Sequence, residues 1–182
     1  MPTIFTHAFA AYTLSKTFFT KVTTQKLYTL VIICAMIPDA DVVGFQFGVS
    51  YNSMFGHRGF THSIFFAAIL AMVVKVIFFY SQSFTTSQGR IIFLSLFLAT
   101  VSHPLLDMLT NGGLGVALFA PFSNQRYFCP WFTPVDVSPI GAANFFTKWG
   151  LSVLISEIKF IIFPCVIILL CAKLLNTKGG TK

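Results

Sequence analysis

Five apolar stretches, at residues 4–20, 27–49, 63–80, 91–109 and 149–172, leave this chain almost no sequence from which to build a water-facing surface. Charged residues make up 9% of it and hydrophobic residues 55%, whereas a soluble domain carries about 25% charged residues. The fold class that follows is all-α: a multipass transmembrane bundle of about four to five membrane segments. At 182 residues it forms one domain, 1–182. Residues 63–80 (SIFFAAILAMVVKVIFFY) are long enough to cross about 30 Å of hydrocarbon at about 1.5 Å per residue. Residues 110–148, which begin with the helix-breaking Asn111-Gly112-Gly113, read as a long irregular connector rich in aromatics and prolines.

The net charge of +7 does not come from clusters of basic and aromatic residues, so no nucleic-acid partner is expected. Basic residues at segment ends instead set topology and meet anionic lipid headgroups. If every segment crosses, seven of them (Lys16, Lys21, Lys26, Arg90, Lys173, Lys178 and Lys182) fall on one side, against Arg58, Arg126 and Lys148 on the other. The lysine-rich side is then cytoplasmic. Cys34, Cys129, Cys165 and Cys171 form no C-x-x-C pair and read as small apolar residues rather than a disulfide framework.

Ionisable groups inside membrane segments are costly and are usually paired and functional. This chain concentrates them. Alternating crossings bring His7, Asp39, Asp41, His57, His62, His103, Asp107 and Glu157 to the same, non-cytoplasmic end. His103 and Asp107 are four apart, which sets their side chains about 6 Å apart on one helix face. Pro104 between them predicts a kink or a fresh helical start capped by Ser102. Asp39 and Asp41 follow Pro38 and suit a non-helical turn. His57 and His62 would stand about 140° apart on a continuous helix, but Gly59 argues for a loop that turns both imidazoles inward, with Thr61 capping the next helix. Imidazoles and carboxylates together suit Zn²⁺, with Mn²⁺ or Fe as alternatives, in one or two ions. No serine or cysteine nucleophile is evident, so metal-activated water is the economical nucleophile. Arg58 and Arg126 could then hold an anionic group such as phosphate.

The order His7, Pro38-Asp39-x-Asp41, His57-Arg58-Gly59-x-Thr61-His62-Ser63 and Ser102-His103-x-x-x-Asp107 resembles the YdjM family of bacterial inner-membrane proteins, described as metal-dependent hydrolases. In the connector, Pro121-Phe122-Ser123, Arg126-Tyr127-Phe128 and Val137-Ser138-Pro139-Ile140-Gly141 also look like it. The family is distantly similar to zinc-dependent phospholipase C and P1-type nucleases. That resemblance implies metal ligation by His7, Asp39, His62, His103 and Asp107, with Asp41 and His57 as outer or proton-transfer groups and Arg58 orienting the anion. A late His-x-x-x-Glu pair of those enzymes would bring in Glu157 as a further ligand or outer group, although residue 153 is Val here. It also implies a phosphoester substrate, in a lipid or lipid-linked molecule, at the outer face of the inner membrane; some members are linked to the SOS response. The readings from other classes are a non-enzymatic membrane protein with a structural metal or a partner-binding site, and a small ion- or proton-coupled transporter.

Overall fold

A computed structural model of the chain describes residues 1–19, 24–139 and 145–179, with side chains of the last helix as far as residue 175. Lys21, Ile140, Gly141, Lys182 and the side chain of Lys178 lie outside the described residues. The described chain is helical and holds no strand, only two isolated bridges within the connector.

Helix α1 spans Ile4–Phe18 and α2 spans Gln25–Met36. Helix α2 runs directly into a 3-10 helix, Ile37–Phe47, so the pair forms one 23-residue apolar rod. Pro38 at the start of that second part has no N–H to donate and tightens the winding. Helix α3 spans Ile64–Phe78 and α4 spans Ser87–Asp107. Helices α5 (Lys148–Glu157) and α6 (Phe163–Gly179) join through a π-helical turn at Ile158–Ile162. Three rods, at Gln25–Phe47, Ser87–Asp107 and Lys148–Leu175, are long and apolar enough to cross a membrane.

Two sequence expectations need correction here. The span expected at 63–80 is a 15-residue helix, about 22 Å long. Ser63 caps it by accepting from Phe66 N at 3.0 Å, so its first turn starts later than the apolar run. It ends at Phe78, whose carbonyl accepts from Lys26, while Lys75 turns back to Gln82 O. Nor does α4 restart at Pro104: the helix continues through it, and Ser102 bonds backward to Ala99 O instead of capping.

Helix α4 is the centre of the bundle and packs against α1, α2 and α3. The core there is built largely from small residues, with Ala11, Cys34, Ala35, Ala71 and Ala99 around Leu27, Val31 and Leu96. Small side chains let helix backbones approach closely where lipid leaves no hydrophobic drive for association. This packing fixes the ends of α2 and α4 side by side, and those ends carry Asp39, His103 and Asp107. The connector folds over the same end. Its bridges Thr110–Val135 and Val116–Tyr127 fasten it to itself, and Ala117 N donates to Arg58 O at 2.9 Å.

Candidate metal centre

The HRGFTHS stretch forms a compact turn, not a helix. Arg58 takes a left-handed φ of 61°, a conformation that costs a non-glycine residue about 1–2 kcal/mol. Several contacts hold it there. Its N–H donates to Asp41 Oδ2 at 3.2 Å, and its guanidinium donates to Gly112 O and Thr110 Oγ1, both at 2.9 Å. Gly59 follows because a Cβ there would stand 2.2 Å from the Met54 carbonyl oxygen. The turn ends in the short 3-10 helix Phe60–His62, which aims His62 into the bundle.

Four acceptor atoms meet at that point. His62 Nε2 lies 3.3 Å from Asp107 Oδ2, 3.6 Å from Asp39 Oδ1 and 3.1 Å from His103 Nε2. His103 Nε2 lies 3.3 Å from Asp39 Oδ1 and 3.9 Å from Asp107 Oδ2. Their tautomers follow from the other ring nitrogens. His103 Nδ1 sits 2.7 Å from the Ala35 carbonyl oxygen, which can only accept, so Nδ1 carries the hydrogen. His62 Nδ1 faces Asp41 Oδ2 at 3.1 Å and does the same. Both Nε2 atoms therefore present lone pairs to each other and to two carboxylates. Neither oxygen of Asp39 or of Asp107 has a hydrogen-bond partner, although such buried groups are almost always satisfied.

Lone pairs gathered in this way can hold a cation among them. Ligands about 2.0–2.2 Å from a tetrahedral metal stand about 3.4 Å from one another, and the five separations bracket that figure. Charge agrees with spacing. Asp39, Asp41 and Asp107 bring three carboxylates to the region, against the guanidinium of Arg58 and the buried amino group of Met1, so the group favours a further cation. The residues present therefore fit a metal of the Zn²⁺ type, and they do so while almost wholly buried: His62, His103 and Asp107 are 0% exposed and Asp39 is 6% exposed. Without a metal, a proton must serve. Burial alone would depress His62, but the carboxylates of Asp107, Asp39 and Asp41 around it overcome this and hold the imidazole well above its ordinary value.

The remaining sequence candidates take distinct places. His7 is buried, stacks on His103 with ring centres 3.7 Å apart, and directs Nε2 at the other oxygen of Asp107, Oδ1, at 3.4 Å. Both of its ring nitrogens lack partners. His57 Nδ1 bonds Asp41 Oδ1 at 2.6 Å, a hydrogen bond rather than a ligand spacing. Asp41 also accepts from Thr61 Oγ1 at 2.7 Å. Thr61 thus serves Asp41, and the cap of α3 expected from it falls to Ser63.

Arg58 and Arg126 direct their donors at the protein itself. Arg58 Nε stands 3.2 Å from Asp107 Oδ2. Arg126 reaches the carbonyls of His57 and Tyr51 at 2.9 Å and of Ser53 at 3.1 Å, pinning the loop before the turn. Glu157 lies apart from the convergent group. It accepts from the Thr3 backbone N–H, from Thr3 Oγ1 at 2.7 Å and from Thr6 Oγ1 at 2.6 Å, which moors the start of α1 to the end of α5. Sequence reading missed Tyr51, whose ring stands edge-on to His57 at 5.2 Å, and Thr110. Neither carries a spacing signal, because their partners are distant in the chain.

The profile of the family described as YdjM inner membrane protein matches residues 1–179. The inner membrane protein YbcI of Escherichia coli (strain K12) is 38% identical over 169 residues, which cover 93% of this chain and 95% of the relative. No solved structure matches significantly.

Proposed function

The chain belongs to the YdjM family of inner membrane proteins, and from that premise we propose that it is a membrane-embedded, metal-dependent hydrolase of phosphoesters. The observation that carries the reading is the set of four buried residues, Asp39, His62, His103 and Asp107, at ligand spacing, with no hydrogen bond to either carboxylate. Beside them His57, paired with Asp41, borders a cavity of about 340 Å³. A divalent cation in the four-acceptor group supplies polarisation of a phosphoryl oxygen and lowers the pKa of water towards neutrality. His7, whose Nε2 faces Asp107 Oδ1, would help to hold a second ion.

The protein's own groups divide the remaining work. Asp41 fixes the His57 tautomer through Nδ1 and leaves the other ring nitrogen to take one proton from the attacking water. As the new P–O bond forms and the old one breaks, that proton is available to the departing oxygen. Asp41 also holds His62 through Nδ1, so one carboxylate orients both the proton acceptor and a ligand. Arg58 acts through Asp107, which it positions and partly neutralises. The lysine-rich end, with Lys16, Lys26 and Arg90, faces the cytoplasm by the positive-inside rule, which sets the metal group near the outer face.

The test is hydrolysis by the purified protein, in detergent and in vesicles, of a chromogenic phosphodiester, a phosphomonoester and a phospholipid. Turnover should disappear on chelation, return with Zn²⁺ or Mn²⁺, and be lost in His57→Ala with metal still bound. A fully metal-loaded protein that turns over none of the three would sink the reading.

A further inference from the structure

Two cavities lie beside the metal group; both have largely apolar walls, and they differ in the polar residue each reaches. The first, about 340 Å³, is lined by Met1, Tyr51, Gly113, Val137, Pro139 and Trp149 and reaches His57. The second, about 480 Å³, is walled by Ile4, Phe5, Val42, Phe145 and Phe146, and its one ionisable side chain is Asp39. Both volumes fall in the range of ligand sites, about 300–1,000 Å³. Met1, Ser138 and Pro139 border both and divide one from the other.

Of the four convergent acceptors only Asp39 has any exposure, and although its two oxygens are themselves buried it lines the apolar cavity, which is therefore the opening nearest the metal group. The rim of that cavity continues into side chains turned fully outward: Phe5 is 72% exposed and Phe146 87%, with Val43 and Phe47 beside them on the Ile37–Phe47 segment. That segment belongs to one of the membrane-spanning rods, so the surface outside the rim is hydrocarbon. A water-soluble ester gains nothing by entering past Ile4, Val42 and two phenylalanines. A lipid loses nothing by doing so, because its chain exchanges one apolar environment for another while its phosphate is drawn to a cation held beside Asp39.

We propose that the apolar cavity seats a hydrocarbon chain of a bilayer lipid, entering sideways from the membrane, with its head at the metal group and water admitted from the His57 side. The assignment rests on reading the metal group as the reaction centre, and it makes the substrate an amphiphile whose chain is recognised as well as its head.

Photolabelling of the full chain tests this without relying on turnover. The protein is reconstituted in vesicles of phosphatidylethanolamine and phosphatidylglycerol containing phosphatidylethanolamine with a diazirine at one chain end, then irradiated and mapped by mass spectrometry. Labelling should concentrate on Ile4, Phe5, Val42, Phe145 and Phe146. It should be lost in Val42→Trp and in Ile4→Trp, which fill the cavity, and persist in Val43→Trp, which alters the outer surface alone; unchanged helicity and melting of each variant shows that the fold survives. Labelling no denser there than along the outward faces of α3 and α6, or unaffected by both filling substitutions, overturns the proposal. Cavity labelling in a protein that binds no metal would uphold chain binding and sink the hydrolase reading instead.

Discussion

Asp107 and Glu157 are equally buried, both at 0% exposure, yet they sit in opposite chemical situations. Glu157 has its oxygens filled by three donors from Thr3 and Thr6. Asp107, with Asp39 beside it, faces imidazole lone pairs at 3.3–3.9 Å and a guanidinium, and accepts no hydrogen bond. Both arrangements keep a carboxylate out of water. Glu157 is satisfied by those donors and fastens helices; the Asp39–Asp107 pair, left without them, has the composition and spacing to hold a cation. Burial of an acidic residue in a membrane protein therefore does not identify a ligand, whereas the supply of donors around it does.

Substitutions at the two places should give opposite signatures. Asp39→Asn should weaken Zn²⁺ binding by more than the about 10–100-fold expected for an outer partner, and should leave the chelator-treated protein at least as stable, because one uncompensated charge is gone. Titration with a competing chelator and thermal melting measure both. Glu157→Ala should do the reverse. It strands one backbone N–H and two hydroxyls at about 1–3 kcal/mol for each buried group left unmade, so the melting temperature should fall by many degrees with metal content unchanged. Loss of metal in Glu157→Ala at temperatures where it remains folded would merge the two sites and break the comparison. Asp41→Asn should fall between them: affinity lower by about 10–100-fold through the loosened His62 ring, with a smaller loss of stability than in Glu157→Ala, because the amide keeps one accepting oxygen for the donors around it.

The smallest effect concerns pH. His62 is raised in the metal-free fold, so its imidazolium stabilises that form fully below its ordinary value of about 6.5, and this support fades as pH climbs through the raised value. A metal ion takes the proton's place. Binding should therefore release a proton and weaken by about tenfold per pH unit on acidification within that window. The gap in melting temperature between metal-loaded and chelated protein should widen from pH 6 to pH 8. A gap independent of pH would mean that His62 is not a ligand.

Much of the metal group was legible in the chain. The four-residue spacing of His103 and Asp107 put both side chains on one face of α4, and counting crossings brought the ends of the rods together. Local backbone chemistry was less legible. The turn around Arg58 depends on a left-handed residue and on Gly59 lying against Met54, so the separation of His57 from His62 could not be read as an angle on a helix. Least legible were the roles of Arg58, Arg126 and Glu157. Their partners lie about 50 to 154 residues away in sequence, and no periodicity records a hydrogen bond closed over that distance. Both arginines fall on the same side as the metal candidates, which suggests that they hold an anion there until the carbonyls and the carboxylate that occupy them are seen.

The most direct test is the metal content of the full-length protein, purified from membranes without chelator and measured per chain by inductively coupled plasma mass spectrometry. The wild type and Glu157→Ala should each retain at least one divalent ion, and the double substitution Asp39→Ala, His103→Ala should retain none. A wild-type protein that holds no metal, before or after incubation with Zn²⁺, Mn²⁺ or Fe²⁺, would contradict the assignment of these buried acceptors as a metal centre.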